Sequence, residues 1–226
     1  MRAWFPSAYR LDRAPRSRTL KMKMDNLKNK LSFVILGRSG SGKGTQAEFL
    51  MKHFGAGGFR LETGRFLRAL NERYDNPTTA LSRDVLKKGH FVPSWLALFA
   101  WLNEFIEGGH GGKHLVFDGS PRMEWEARVI DEVMTWHGRP LPIGIVIEVS
   151  AKEAARRLLG RGRADDNPIA IRGRLAAFTR YVVPVIKHYE KRRRLIRING
   201  EQSVESVWRD LGSALKKKIG KQWRLP

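Results

Sequence analysis

A glycine-rich loop between an apolar run and a helical segment restricts the fold of this chain more than any other feature. The run Leu31–Leu36 has the composition of a buried strand, and Thr45–Phe54 has the pattern of a helix. The loop that joins them reads Gly37-Arg38-Ser39-Gly40-Ser41-Gly42-Lys43-Gly44-Thr45. Glycines let successive backbone N–H groups point at one phosphate, and a helix N-terminus adds positive potential. The order of strand, loop and helix therefore predicts a phosphate-binding loop, although Gly44 stands where the strict pattern has Ser or Thr.

The rest of the chain alternates short apolar runs with helical patterns. The apolar runs lie at Phe59–Leu61, His114–Phe117, Ile143–Val149 and Leu195–Ile198. The helical patterns include Arg83–Lys88, Trp95–Glu107, Glu124–Trp136 and Lys152–Leu159. Continuous apolar strands separated by helices are typical of a parallel sheet that is buried on both faces. The sequence therefore predicts an α/β fold.

One more helix is predicted by its first two residues. Asn167 is a favoured N-cap, and Pro168 fits the first helical position. We expect this helix to run towards Tyr189, with a kink or a break at Pro184.

Composition excludes several classes of function. The 226 residues contain no cysteine, which rules out disulfides, thiolate zinc sites and a cysteine nucleophile. No apolar run approaches the roughly 18 residues that a membrane span needs. There are 43 Lys and Arg residues against 22 Asp and Glu residues, a formal net charge of +21. This excess predicts polyanionic partners, namely nucleotides, nucleic acid or an anionic membrane surface, and does not choose among them.

Much of the charge lies outside the α/β pattern, which divides the chain into three parts. Residues 1–30 hold nine Lys and Arg against two Asp, and residues 215–226 form a second basic segment. We expect the first segment to be a flexible extension, with a transit peptide, an RNA-binding arm or an upstream start codon as alternatives. Residues 31–214 are expected to form the folded core.

Three further motifs combine arginine with a strand end. They are Thr63-Gly64-Arg65-Phe66-Leu67-Arg68, Phe117-Asp118-Gly119-Ser120-Pro121-Arg122, and the stretch from Arg157 through Arg161 and Arg163 to Asn167, followed by Arg174. Ligands of open parallel sheets bind beyond the carboxyl ends of the strands, so Asp118 is expected beside the phosphate loop, where it could hold Mg²⁺ through water. Several arginines near one phosphate loop suit phosphoryl transfer, whose transition state spreads negative charge over oxygens.

With these motifs, residues 31 to about 212 resemble an adenylate kinase-like nucleoside monophosphate kinase of the short-lid type. The resemblance rests on GRSGSGKGTQ, TGRFLR, KKGHFVP at 87–93, DGSPR, and RGRADDN with Arg174. It implies a phosphate-loop NTPase fold with a five-stranded parallel sheet flanked by helices. It also implies a monophosphate-binding insert at about 62–92 and a minimal lid at about 161–167.

The resemblance assigns roles to individual residues. The implied ATP-binding residues are Gly37, Ser39, Gly40, Ser41, Gly42, Lys43, Gly44, Thr45, Arg157 and Arg161. The implied monophosphate-binding residues are Thr63, Gly64, Arg68, Val92, Gly119, Arg122, Glu126, Arg163 and Arg174. The implied catalytic residues are Lys43, Arg122, Arg161, Arg163 and Arg174. Mg²⁺ is expected to enter with ATP, near Thr45 and Asp118, and the zinc of longer lids is not expected.

Several positions depart from the family pattern. The family often has proline at Arg38 and Ser39, phenylalanine at Ser120, and aspartate at Arg65. Glu126 stands where adenylate kinases usually place glutamine. An ionised Glu126 offers only acceptors, which suits the adjacent donors of guanine better than adenine.

The resemblance and these departures lead to one expected function and several alternatives. We expect ATP-dependent phosphorylation of AMP by a cytoplasmic monomer without a membrane partner. GMP is the first alternative acceptor, followed by CMP and UMP. A basic nucleic-acid-binding protein on a vestigial kinase fold is the alternative from another class, although nucleic acid is not expected to be the primary partner.

Overall fold

A computed structural model describes residues 25–108, 112–162, 167–220 and 223. Its sheet has five strands, all parallel, in the order β2-β3-β1-β4-β5. The strands are β1 (Ser32–Gly37), β2 (Gly58–Glu62), β3 (His114–Asp118), β4 (Ile143–Glu148) and β5 (Leu195–Asn199). The predicted α/β fold and its parallel sheet are thus confirmed, with strand ends shifted by one residue at most positions.

Helices cover both faces of this sheet. They are α1 (Lys43–Phe54), α2 (Thr63–Arg73), α3 (Pro77–Lys87), α4 (Ser94–Glu107), α5 (Glu124–Trp136), α6 (Ala151–Arg161), α7 (Pro168–Ala177), α8 (Val183–Lys191) and α9 (Val204–Ile219). A π-helical turn, Phe178–Val182, joins α7 to α8. In the described ranges, no helix combines the length and the apolar character that crossing a membrane requires.

Alternate residues of the central strand serve two hydrophobic cores. Val34 and Leu36 of β1 face a core that contains Trp101 and Tyr189, beneath α4, α5 and α8. Phe33 and Ile35 face the opposite core, beneath α1 and α9. All four β1 side chains are almost fully buried, and each contributes roughly 1.5–3 kcal/mol through burial. Packing on both faces fixes the strand ends, and with them the loops that follow.

The packed structure extends beyond both of the boundaries expected from the sequence. Leu27 is only 8% exposed, although residues up to 30 were expected to be a flexible extension. The expected boundary at 214–215 falls inside α9, because Val207, Leu211 and Leu215 form a continuous buried stripe. Beyond α9, Trp223 is buried and stacks on His53, with 4.2 Å between ring centroids.

Candidate active site

The phosphate loop lies between β1 and α1, as predicted. Gly40 and Gly42 have φ angles of +84° and +90°, in the left-handed region that favours glycine. A Cβ at Gly37 would come within 2.6 Å of the Ile147 carbonyl oxygen, so the loop passes too close to β4 for a side chain. Gly44 and Thr45 follow in the first turn of α1, and Ser41 is buried beneath the loop.

Lys43, the first residue of α1, folds back over this loop. Its Nζ donates to the carbonyl oxygens of Gly37, at 2.9 Å, and Arg38, at 2.6 Å. Burial lowers the pKa of Lys43 from 10.5 to about 8, Asp118 opposes this shift, and the charges of Arg122 and Arg161 add to it. Lys43 therefore lies in the electrostatic field of three side chains that the sequence assigned to the same site.

The motifs that contain Thr63 and Arg122 meet at the ends of β2 and β3. The hydroxyls of Thr63 and Ser120 are buried and hydrogen-bonded to each other at 2.8 Å. A Cβ at Gly119, where φ is +93°, would lie 3.7 Å from Thr63 Cβ, 3.8 Å from Gly64 N and 3.9 Å from an Arg122 nitrogen. The small residue at position 119 leaves this space open between the two motifs.

Contacts within the protein hold Arg122 in place without a ligand. Its Nε donates to the Gly119 carbonyl oxygen at 2.9 Å, and its guanidinium carbon lies 4.4 Å from the centroid of the Phe91 ring. Burial lowers the pKa of Arg122, with the charge of Arg174 adding to the effect. Because arginine keeps its proton throughout the physiological range, these contacts fix a cation at the end of β3.

Residues from three of the predicted segments line one cavity beyond the carboxyl ends of the strands. Lys43 and Ser39 line it from the phosphate loop, Gly119 and Arg122 from the end of β3, and Arg174 from α7. Its apolar wall includes Phe91, Phe178 and Val182, which the sequence analysis did not assign. A cavity with cations from three chain segments suits a ligand that carries phosphate groups.

Other predicted residues have different surroundings. The exposed Arg68 pairs with Glu62 at 3.2 Å, and Val92 is buried in a small core with Leu67. Arg157 donates to Glu153 at 2.6 Å and to the Gly200 carbonyl oxygen at 2.9 Å, which places it beside the loop after β5. Arg161 is the last residue of α6. Arg163 lies outside the described residues, as does most of the expected lid.

Glu126 is buried and binds the chain itself. Its Oε2 accepts a hydrogen bond from the backbone N–H of Arg122 at 2.7 Å. The Met123 N–H and the Ser94 hydroxyl also bond to this carboxylate, and they lower its pKa against the larger, raising effect of burial. A glutamate that accepts from the N–H groups before its own helix acts as a helix cap. Here it caps α5 and anchors the backbone of Arg122.

Arg60, in the middle of β2, is a charged residue beside the site that sequence reasoning also missed. Its guanidinium bonds to Asp118 at 2.5 Å, and Glu62 and Glu48 lie 3.5 and 3.8 Å away. A Cβ at Gly44 would be 3.7 Å from the same guanidinium, so Arg60 also lies next to the first turn of α1. The available signal was a charged residue inside an otherwise apolar strand.

The donors near the phosphate loop fit a magnesium ion that enters with the nucleotide. Mg²⁺ prefers oxygen ligands and is usually held by one or two carboxylates together with substrate phosphates. Asp118 supplies a carboxylate and Thr45 a hydroxyl, and the described residues contain no group of three His, Asp or Glu side chains that could hold a metal without a substrate. Asp118 is shared with Arg60, which makes this carboxylate less available to a metal.

Comparison with known proteins agrees with this geometry. A family model described as adenylate kinase matches residues 35–194. The chain belongs to the adenylate kinase family. It is 32% identical over 189 residues to an adenylate kinase of Xanthomonas campestris pv. campestris (strain B100), with 82% of this chain and 99% of that protein covered. It is 34% identical over 182 residues to one from Synechococcus sp. (strain RCC307), with 80% and 97% covered.

Family membership confirms the resemblance and makes the chain a nucleoside monophosphate kinase. The structure also shows how two departures from the family pattern are accommodated. Arg65 stands where the family often has aspartate, and its guanidinium pairs with the Glu104 carboxylate on α4 at 3.2 Å. Ser120, where phenylalanine is frequent, replaces an aromatic ring with the hydroxyl that bonds to Thr63.

Proposed function

We propose that this chain transfers the γ-phosphoryl group of ATP to AMP and so forms two molecules of ADP. The observation that carries the proposal is the cavity beyond the strand ends, where Lys43, Arg122 and Arg174 converge from three segments. The curated relatives are named adenylate kinases, which supports AMP as the acceptor.

In this reaction a phosphate oxygen of AMP attacks the γ-phosphorus, and the bond to the oxygen that bridges the β- and γ-phosphates breaks. The attacking oxygen is already anionic, so no general base is needed. The Lys43 ammonium and the phosphate-loop N–H groups are proposed to hold the phosphates of ATP, and Arg122 those of AMP. Mg²⁺ that enters with ATP supplies further positive charge, with Asp118 and Thr45 as its proposed protein ligands.

The arginines are proposed to have two roles, namely to hold the phosphate of AMP and to stabilise charge that builds up on the transferring group. Arg122 is proposed for the first role, and because Phe91 and the Gly119 carbonyl already order it, little reorganisation is needed when AMP binds. Arg174 faces it across the cavity from α7. Arg161 and Arg163 are proposed to close on the phosphates from the lid.

The role of Glu126 in recognising the base of the nucleoside monophosphate can be tested directly. Its carboxylate accepts a hydrogen bond from the N–H of Arg122. This contact supports a capping role for Glu126, with other groups recognising the base of the nucleoside monophosphate. If Glu126 instead turned towards the base, its two acceptors would match the N1–H and the amino group of guanine. Each charge-assisted bond of this kind is worth about 1.5–3 kcal/mol, enough to favour GMP.

The experiment is a coupled assay of ADP formation from ATP with AMP, GMP, CMP or UMP. We expect the highest kcat/KM with AMP and the same order in Glu126→Gln. A change in the preference for AMP of about tenfold or more, which corresponds to about 1.4 kcal/mol, would show that Glu126 reads the base. Lys43→Met is the control for background activity, since loss of a preorganised charge costs about 2.7–4 kcal/mol. Absence of activity with all four acceptors would contradict the proposed function.

A further inference from the structure

Two basic runs that are distant in sequence meet at the end of the sheet opposite the kinase site. The turn Lys191–Arg193 leads into β5, so it lies at the amino-terminal edge of the parallel strands. Helix α9 returns from the other edge, and its last turn contains Lys216, Lys217 and Lys218. Lys218 Nζ donates to the Arg193 carbonyl oxygen at 2.6 Å, which joins the two runs. We call these six residues the basic end.

The charges of the basic end face solvent, although the charge of Arg192, added to the larger effect of Arg128, lowers the pKa of Glu124. All six residues are exposed, and in the parts of the chain that the structure describes none of them forms an ion pair with a carboxylate. The next residue is different, because Arg194 is half-buried and bonds to Asp131 at 2.5 Å. Arg194 therefore has an acidic partner, whereas the exposed Arg192 bonds only to the His188 carbonyl oxygen among the described residues, at 3.2 Å.

Basic side chains also lie near the start of β3, at the same edge of the sheet. His114, the first residue of β3, has its pKa lowered from 6.5 to about 4 by burial and by the charges of Lys30, Arg139 and His53. Positive charge therefore precedes several strands at this edge. The kinase motifs lie at the opposite edge, so catalysis does not account for it.

Helix electrostatics explain only part of this arrangement. Lysines in the last turn of α9 are stabilised by the negative end of the helix dipole. The same effect applies to Lys191, the last residue of α8, and less to Arg193, which lies beyond the C-cap residue Arg192. Arg193 has a φ of +54°, the sole positive value among the described residues that are not glycine. This conformation is unfavourable for a side chain that bears a Cβ, and glycine would adopt it freely. An arginine is thus kept in a strained position where its side chain makes no ion pair.

We propose that the basic end binds the phosphate backbone of nucleic acid, independently of base sequence. Neutralising phosphates with Lys and Arg releases counterions and supplies most of the affinity of non-specific binding. The basic end contains no aromatic side chain on which a base could stack, and the neighbouring Trp223 is only 3% exposed. Stable attachment to a membrane needs exposed apolar side chains or a lipid beside the charges. The apolar residues that flank the second run, Leu215 and Ile219, are buried and half-buried, so we favour nucleic acid over lipid.

The test is fluorescence anisotropy of the full chain with a fluorescein-labelled 20-base-pair DNA duplex at several salt concentrations. The variant Lys191→Gln/Arg193→Gln/Lys217→Gln removes three charges from the basic end. We expect the slope of log K against log salt to fall by about 2, and the affinity at low salt to fall by at least about tenfold. The matched control Arg128→Gln/Lys152→Gln/Arg209→Gln removes three exposed charges elsewhere, and we expect a change of less than about twofold.

The variant Arg193→Gly distinguishes an effect on DNA binding from an effect on folding. Because glycine relieves the strain at φ +54°, this variant should melt at a higher temperature than the wild type and yet bind the duplex more weakly. Kinase activity should be unchanged in every variant, since none of these residues lines the catalytic cavity. An equal loss of affinity in the control triple variant would overturn the proposal. So would tighter binding to phosphatidylserine vesicles than to DNA, or unchanged DNA binding in the basic-end variants.

Discussion

Lys43 carries a charge that its surroundings disfavour and its proposed substrate favours. With its pKa near 8, the side chain is protonated below this pH and loses its charge as the pH rises through it. We therefore expect kcat/KM for ATP, which reports the free enzyme, to decline above about pH 8. Lys43→Arg should shift or abolish this decline, because a guanidinium stays charged. An identical pH profile in Lys43→Arg would mean that another group causes it.

The ion pair between Arg60 and Asp118 leads to a second prediction for a single residue. Both side chains are mostly buried, with 20% and 12% of their surfaces exposed. Arg60→Gln leaves Asp118 without this cation and should lower the free energy of unfolding by about 1–3 kcal/mol. The Asp118 carboxylate is then free to bind Mg²⁺. The ratio of the affinities for a non-hydrolysable ATP analogue with and without Mg²⁺ should therefore increase.

Denaturant melts and calorimetric titrations with and without Mg²⁺ measure the two effects of Arg60→Gln separately. Arg65→Gln is the matched control, because Arg65 is mostly exposed and pairs with Glu104. Its loss should cost no more than about 1 kcal/mol and leave the effect of Mg²⁺ unchanged. If both variants altered the metal dependence equally, the pairing of Arg60 with Asp118 would have no special role.

These residues also show what the sequence can and cannot predict. Lys43 and Arg122 follow strands in recognisable motifs, so their convergence could be predicted from parallel topology alone. Arg60 has no motif, and its importance depends on the register that aligns Glu62 of β2 with Asp118 of β3. The capping contacts of Glu126 depend on side-chain geometry, which residue type does not determine.

At the scale of elements, the best predictions came from local chemistry. Asn167 caps α7 through its side chain and Pro168 begins it, as expected. The kink or break expected at Pro184 takes the form of a π-helical turn before it, in which the Val183 N–H bonds to the Phe178 carbonyl oxygen. Proline cannot donate to the carbonyl four residues earlier, and a wider turn accommodates this loss. The form of such a defect depends on tertiary packing, here around Phe178 and Val182.

The positions of the arginines on different elements predict different kinetic roles. Arg122 follows β3 and Arg68 lies on α2, where we expect them to bind the phosphate of AMP before and during the reaction. Arg122→Ala and Arg68→Ala should therefore mainly raise KM for AMP. Arg174→Ala, on α7, should mainly lower kcat, because its proposed contact is with charge that develops late. Arg163→Ala is expected to behave like Arg174→Ala.

Steady-state kinetics with varied AMP at saturating ATP distinguish these roles. Because Phe91 and Gly119 order Arg122 while Arg68 is exposed, the change in KM should be larger for Arg122→Ala. If all four variants had the same ratio of kcat to KM effects, the proposed division of roles among the elements would be wrong.

At the scale of the whole molecule, the parallel sheet separates two groups of positive charge. The cations of the kinase site lie at the carboxyl edge of the sheet, and those of the basic end lie at the amino edge. The sequence predicted the first group, because motifs mark it. It also showed the runs at Lys191–Arg194 and Lys216–Arg224, but their meeting depends on the return of α9 across the sheet.

The last prediction concerns the basic segment before the core. No kinase motif begins before Leu31, and the described structure from Asp25 onwards includes Leu27, which is packed. A chain that starts at Met24 keeps Leu27 and loses seven Lys and Arg residues and one Asp. We expect its kcat/KM for AMP to stay within about twofold of the full chain, since the removed segment contains no kinase motif. Any affinity for DNA that it loses should be the salt-sensitive part. A large loss of catalysis, measured in the same coupled assay, would show that residues 1–23 contribute to the folded kinase.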